Sequence, residues 1–487
     1  MKYEAVIGLE VHAELQTRSK MFCACPIVDA ASSQPNSAVC PVCAGLPGVL
    51  PVVNKGAVEL GLRVALALEC QIAHTSLFAR KNYFYPDLPK GYQISQYEYP
   101  LAQHGRLAID TPGGEKIVRI RRVHLEEDTG KLTHVREQSG EDYSLVDLNR
   151  AGVPLLEIVS EPDLHSIEET RLYAKSLRTI LRYAGASSGD MEKGAVRFEA
   201  NVSLRLTGSQ ELGTRVEIKN LNSFRAMERA IAFEIDRQTE RLERGELVDQ
   251  ETLGWSETDG CTYSQRSKEE AHDYRYFPEP DLPPLVVESE WLEQIKAELP
   301  ELPREKQLRL QREYGLTTSV VKILSAERAL ANYFEQTVRA SEGKVPVKTV
   351  ANWISGELFA WLNQSGQSIE QIRVTPEALA GLIARSAVRE INLKTAKTVL
   401  AQMLQTGQSA GEIIQAGGLQ QVSDAKTISG LVKNTLNENA AQIENYLAGK
   451  TTLFEWFFGQ AMRASRGAAD PQVLREELKR QLAALKR

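Results

Sequence analysis

The chain has 487 residues, 42% of them hydrophobic, with 58 Lys and Arg against 64 Asp and Glu and a net charge of −6. At about 150 residues per domain this predicts about three domains, and a chain of this length buries a sizeable core without staples. No apolar run approaches the ~18 residues of a membrane span, residues 1–10 lack a secretory signal's apolar core, and the charge is not that of a basic nucleic-acid-binding domain; the expectation is a cytoplasmic, multi-domain globular protein.

All seven histidines and all six cysteines precede residue 273, so the chemistry is expected in the N-terminal part. Residues 6–15 alternate Ile7, Leu9, Val11 and Ala13 with Gly8, Glu10, His12 and Glu14, the period of a half-buried strand that puts Glu10 and His12 on one face. Cys23 and Cys25 follow, then, after fourteen residues, Cys40 and Cys43. Four thiolates in two close pairs suit a closed, structural zinc site; the alternatives are four reduced thiols or two disulfides, and a cytosolic setting disfavours the disulfides. Cys70 and Cys261, unpaired by spacing, read as ordinary thiols.

Further along, the run from Arg122 to Asp128 contains His124, Glu126 and Glu127. With Glu10 and His12 these are donors for a hard cation such as Mg²⁺, possible ligands alongside substrate phosphates; the competing reading is a half-exposed sheet with paired charges. The apolar positions change parity here, from Val118 and Ile120 to Val123 and Leu125, which predicts a bulge. Gly185-Ala186-Ser187-Ser188-Gly189 matches the Gly-x-Ser-x-Gly pattern of hydrolases but follows a helical run over 170–183 rather than a strand, so Ser187 is not expected to be a nucleophile. Residues 195–206 form a second alternating strand whose polar face carries Arg197, Glu199, Asn201, Ser203 and Arg205. Residues 215–219, with Glu217 and Lys219, repeat the pattern as an antiparallel neighbour. That face suits phosphate neutralisation; a solvated face with cross-strand ion pairs is the plain alternative. No phosphate-binding Gly-x-x-x-x-Gly-Lys-Ser/Thr loop is present.

Prolines at 278, 280, 283, 284, 300 and 303 predict a boundary near residue 292. Beyond it, helical spacing over 304–314, 376–387 and 425–436 predicts a mostly α half, and Gly417-Gly418 places a softer boundary near 408. From residue 411 on, 10 Lys and Arg stand against 8 Asp and Glu, giving +2 against −8 for the remainder, a mild asymmetry compatible with an ordinary helical surface.

A more specific signal is the stretch Lys81-Asn82-Tyr83-Phe84-Tyr85-Pro86-Asp87-Leu88-Pro89-Lys90-Gly91-Tyr92-Gln93-Ile94-Ser95-Gln96, with further matches over 124–131, 147–163, 217–223, 273–280 and 459–467. These resemble the GatB/GatE family, the B subunits of aspartyl/glutamyl-tRNA(Asn/Gln) amidotransferases, over nearly the whole chain. The resemblance implies an α+β fold: a cradle domain with an antiparallel or mixed sheet, similar to the glutamine synthetase catalytic fold, over 1–292, then an all-α domain over 293–407 and a helical tail over 408–487. It implies a carbon–nitrogen ligase in which ATP phosphorylates the side-chain carboxylate of Glu-tRNA(Gln) or Asp-tRNA(Asn) and ammonia displaces the phosphate. Glu10, His12, Glu126 and Glu127 would hold Mg²⁺, with Glu10, Glu127 and Lys81 catalytic; Asn149, Arg150, Arg197, Glu199, Asn201 and Lys219 would line the nucleotide site. Cys23, Cys25, Cys40 and Cys43 mark the zinc-bearing variety. The implied partners form a heterotrimer with this chain: an amidase (A) subunit, the glutaminase that releases ammonia from glutamine, and a small (C) subunit. The resemblance also implies that the tail contacts tRNA, and by charge and position Lys433, Arg463, Arg466, Lys479 and Arg480 are the candidate phosphate contacts there. Two other readings compete: a stand-alone carboxylate–amine ligase, for which the α-helical half has no evident use, and a zinc-stabilised tRNA-binding scaffold without catalysis.

Overall fold

The computed structural model describes residues 2–29, 32–136, 142–266, 274–419, 424–465 and 469–485, and the chain divides into two compact units, 1–303 and 304–487. The first is built on a nine-stranded sheet. Across it the strands run Cys261–Arg266, Thr252–Ser256, Val216–Leu221, Val196–Leu206, Tyr3–Glu14, Pro154–Ser160, Gly114–Glu127, Ala102–Thr111 and Gln71–Ile72. Val216–Leu221 and Thr252–Ser256 pair in parallel and the other neighbours antiparallel, so the sheet is mixed. The first strand of the chain lies at the centre. Its alternation is the cause: Ile7, Leu9, Val11 and Ala13 are fully buried and Leu15 nearly so, which demands neighbours on both edges and cover over that face.

Helices Lys55–Ala67, Ile167–Tyr183 and Phe224–Glu243 supply the cover, packing Leu62, Tyr173, Leu177, Met227 and Ile231 onto Leu9, Phe198, Ala200 and Ile158. Each starts at a side chain that accepts from an otherwise unpaired backbone N–H: Asn54 from Ala57, Ser166 from Glu169 and Ser223 from Ala226. With the helices on one face, the other is left to the polar residues of the same strands. The parity change expected near residue 120 is a register shift in which Val159 faces Arg122 but Ser160 faces Ile120.

The proline-rich stretch belongs to the first unit. Phe277–Pro278 pairs with Ala79 and Arg80, Leu285–Val286 with Thr75 and Ser76, and residue 292 lies inside helix Ser289–Glu298, whose Ile295 joins the same core. Proline is tolerated here because these are edge pairings that leave its missing N–H unneeded. The second unit is helical, from Pro303–Tyr314 to Pro471–Ala484. It has one core spanning Leu310 to Ile414 and another spanning Ile428 to Leu482. Helix Ala410–Gly417 ends on Gly418, whose left-handed backbone closes the helix as the Gly-Gly pair suggested.

Candidate active site and cysteine centre

On the open face of the sheet, strand register converts sequence alternation into a row of charges. His12 stands opposite Glu157 and Arg197, Glu10 opposite Glu199, Asn201 opposite Glu217, and Glu157 opposite His124. The row forms the floor of a cavity of about 730 Å³, within the ~300–1,000 Å³ range of small-molecule sites. A small sheet of Ala79–Asn82, Tyr92–Ser95 and Phe277–Pro278 brings Lys81 and Tyr83 to the same cavity, where Tyr97, Tyr274 and Tyr276 also stand. The Lys81 ammonium lies 4.8 Å from the centre of the Tyr274 ring.

Two ligand-like groups share the floor. His12, Glu126 and Glu157 form one and Glu10, Glu199 and Glu217 the other, with the donor atoms in each group within 4.8 Å of one another. His12 Nδ1 lies 3.1 Å from Glu126 and its Nε2 3.9 Å from Glu199; Lys219 lies 3.1 Å from Glu199 and 3.4 Å from Glu217; Asn201 donates to Glu10 at 2.9 Å. Burial, followed by the charges of Glu157, Glu199 and Glu217, pushes the Glu10 carboxyl above the usual carboxylate range. Burial works against a charged His12, but the Glu126 hydrogen bond and the Glu157, Glu126 and Glu199 carboxylates overcome it and lift the imidazole to about 9. Burial likewise opposes the charges of Glu157 and Glu199; His124, His12 and Lys81 hold the first well below its ordinary value, and Lys219 and His12 lower the second. An acidic cluster of this kind, with one carboxyl forced upward by its neighbours, is the donor set a hard divalent cation relieves.

Of the residues expected in the site, Glu10, His12, Lys81, Glu126, Arg197, Glu199 and Lys219 line the cavity, and Asn201 reaches it through Glu10. Three do not. Strand alternation sends Glu127 to the side opposite Glu126, where it is buried, pairs with Lys90 and accepts from the backbone N–H of Ile94 at 3.0 Å. Asn149 is spent on the cysteine loop, accepting from the N–H of Ala38 at 2.9 Å and donating to Gln34 O at 2.8 Å. Arg150 donates to the carbonyls of Thr129 and Gly130 and reaches the cavity only by way of Asp128, at 3.5 Å.

Glu157 was not singled out by the sequence, although it is the only charged residue in the otherwise buried strand Pro154–Ser160. A lone carboxylate in such a strand needs partners, and that was the available signal. Tyr97, Arg215 and Glu251 also line the cavity without having been expected. Ser187 is buried against Ala195 O and the N–H of Gly189, in keeping with its exclusion as a nucleophile.

Beyond the cavity, the Sγ atoms of Cys23, Cys25, Cys40 and Cys43 all lie within 4.8 Å of one another, with Cys25 and Cys40 each 3.9 Å from Cys43. A tetrahedral ion with ~2.3 Å bonds to sulfur needs S···S separations of about 3.8 Å, so the thiols fit a closed zinc site. In the second unit, Lys433, Arg463 and Lys479 are exposed, Arg480 is held by both oxygens of Glu477, and Arg466 lies outside the described residues.

Known proteins resemble the chain along nearly its whole length. The family model of the GatB/GatE catalytic domain matches residues 5–293 and that of the GatB domain residues 332–482. The chain is 50% identical over 481 residues to the B subunit of the aspartyl/glutamyl-tRNA(Asn/Gln) amidotransferase of Syntrophotalea carbinolica, covering 99% of each. It is 51% identical over 476 residues to the protein of that name from Thermodesulfovibrio yellowstonii, covering 98% of each, and 49% identical over 480 residues to that of Myxococcus xanthus, covering 99% of this chain and 98% of the relative.

Proposed function

The chain belongs to the GatB/GatE family, and from that premise we propose that it is the carboxylate-activating part of a glutamine-dependent, tRNA-dependent amidotransferase. It would act on the side-chain carboxylate of Glu-tRNA(Gln) or Asp-tRNA(Asn). An oxygen of that carboxylate attacks the γ-phosphorus of ATP, the bond to the bridging oxygen breaks, and ADP leaves. Ammonia nitrogen then attacks the acyl carbon, loses a proton, and phosphate departs from the amide product.

The observation that carries this reading is the charge row on the sheet floor, where buried and half-buried carboxylates stand with Lys219 and Arg197 in one cavity that Lys81 also lines. Phosphoryl transfer asks a protein chiefly to position its substrates and neutralise charge. In this reading Glu10, Glu199 and Glu217, and Glu126 and Glu157 with His12 once its imidazole has given up its proton, would hold Mg²⁺, which when bound would draw electron density from the transferring phosphoryl group. Lys81 and Lys219 face the phosphate oxygens. Burial works against the charge of both. Tyr276, Glu126 and Glu157 nevertheless raise Lys81, and Glu199 and Glu217 raise Lys219, so each keeps its proton. Arg197 is anchored by Asp128 at 2.7 Å and supports the same edge.

The cradle comparison with glutamine synthetase, the allotment of activation to residues 1–292 and of tRNA contact to 408–487, and the amidase and small subunits as partners are parts of this proposal. The four cysteines would hold zinc as a structural ion. Lys433, Arg463 and Lys479 are the tail positions offered to tRNA phosphate, with Arg480 already engaged by Glu477. The direct test supplies the chain, assembled with its amidase and small partners, with Glu-tRNA(Gln) and ammonium in place of glutamine. Product that requires ATP and disappears in Glu10→Ala is expected. Full activity in Glu10→Ala, or no ATP-dependent product from either Glu-tRNA(Gln) or Asp-tRNA(Asn), would overturn the reading.

A further inference from the structure

Lys20 has no solvent exposure at all, which is unusual for a lysine. Its Nζ donates to the carbonyls of Ala38 at 2.8 Å and Leu148 at 3.1 Å and to the sulfur of Cys43 at 3.5 Å. Three acceptors match the three N–H bonds of an ammonium, whereas a neutral amine offers two. Among the described residues no carboxylate pairs with it. A buried cation surrounded by two neutral carbonyls and one sulfur is costly unless a counter-charge is near. Gly152, held at φ of +87° where an L side chain would be strained, packs at ordinary contact distance beside Lys20 and Cys43.

We propose that Lys20 is the buried counter-charge of the four-cysteine centre. The inference rests on the reading of Cys23, Cys25, Cys40 and Cys43 as holding one divalent metal ion. Four thiolates around such an ion are doubly negative, and this centre is half-buried, so part of that charge must be neutralised from within the protein. Lys20 does so through Cys43, and the same ammonium ties the cysteine loop, at Ala38, to the segment after strand Asp142–Asp147, at Leu148. Asn36 reinforces that junction, donating to Val146 O at 3.0 Å and accepting from the N–H of Leu148 at 2.8 Å. Metal retention and the placement of residues 146–150 are therefore coupled through one charge.

The test is zinc affinity of the full chain, measured by competition with a chromogenic chelator for wild type, Lys20→Met and Asn149→Ala. The last loosens the same loop without altering charge. Wild type is expected to hold one zinc, Lys20→Met to bind it roughly 10–100-fold more weakly, as for other outer residues of metal sites, and Asn149→Ala to stay within a few-fold. Lys20→Met with wild-type affinity, or Asn149→Ala weakened as much, would overturn the role of charge; wild type that binds no zinc would sink the metal reading itself. Should Lys20→Met fail to fold, wild type labelled with ¹⁵N at lysine Nζ decides the matter. A protected ammonium resonance that appears with zinc and vanishes with chelator is expected, and its absence from the zinc-loaded chain overturns the proposal.

Discussion

The charge row on the sheet and the cysteine loop both crowd like-charged groups within residues 1–303, but they relieve the repulsion in opposite ways. On the sheet, Glu10, Glu199 and Glu217 are only half-buried and face a cavity, with Lys219 compensating from one side. Glu10 is left with a raised affinity for a proton. In the loop, the sulfurs face one another and the proposed compensating cation, Lys20, is sealed inside with every N–H used. An open cluster keeps positions for substrate oxygens, whereas a closed one has none to give, and the proposed function accordingly assigns chemistry to the first and stability to the second.

Glu199→Gln is the strongest attempt to break that division. It removes the carboxylate that Lys219 and His12 both face, and ATP-dependent amidation is expected to fall about 100-fold or more with only a modest loss of thermal stability, because Lys219 keeps Glu217 at 3.4 Å and His12 keeps Glu126 at 3.1 Å. Cys43→Ser should do the reverse, losing zinc and exposing residues 20–50 to limited proteolysis while amidation per folded molecule stays within a few-fold. A Cys43→Ser chain that folds and keeps its loop protected but loses catalysis would place the loop in the chemistry and end the distinction.

The adjacent pair Glu126 and Glu127 draws the same line one residue apart. Glu126 faces His12 on the cavity side, and Glu127 is buried against Lys90. Glu127→Gln should therefore lower stability to denaturant by about 2 kcal/mol, because a partly buried ammonium loses its partner, and leave the Mg²⁺ dependence of amidation unchanged in the folded protein. A shifted Mg²⁺ requirement would return Glu127 to the metal site.

These residues also show what the sequence could and could not disclose. Period-two alternation is a local property, so Glu10 with His12, and Arg197 with Glu199 and Asn201, could be assigned to common faces before any partner strand was known. The helix starts at Ser166 and Ser223 were not read, although a side chain that caps a backbone only a few residues away is an equally local signal. Glu126 and Glu127 were left together because the parity of their strand changes at a bulge upstream, and only pairing with Pro154 and Leu155 fixes which one faces the cavity. Glu157 was hidden because a central strand buried on both faces has no polar period to read. Asn149 and Arg150, expected at the nucleotide from family resemblance, hold loops instead: their partners are backbone groups of residues 34, 38, 129 and 130, contacts that no spacing rule anticipates. The prolines between 278 and 284 punctuate the chain but do not separate domains, because edge pairing with residues 75–80 needs few N–H donors.

Glu14 offers the subtlest probe of the open cluster. It follows Glu10 and His12 in the same alternation and lies beside Asp128, which takes the short hydrogen bond from Arg197 and a longer contact from Arg150. Burial, then the charge of Asp128, pushes Glu14 up to about 7, although Arg197 and Arg150 pull the other way. A folded state that binds this proton more tightly than the unfolded chain gains stability below pH 4.5, and that gain is lost as pH rises to about 7. Glutamine cannot titrate, so the stability of Glu14→Gln relative to wild type should rise by ~1 kcal/mol between pH 5 and pH 8, less than full linkage because the half-buried carboxylate is screened by solvent, with the change centred between 4.5 and 7. Denaturant melts of both proteins across that range measure it. A difference that stays flat with pH would mean that the two arginines already satisfy both carboxylates, and the end of the charge row beside Asp128 would then be as closed as the cysteine loop.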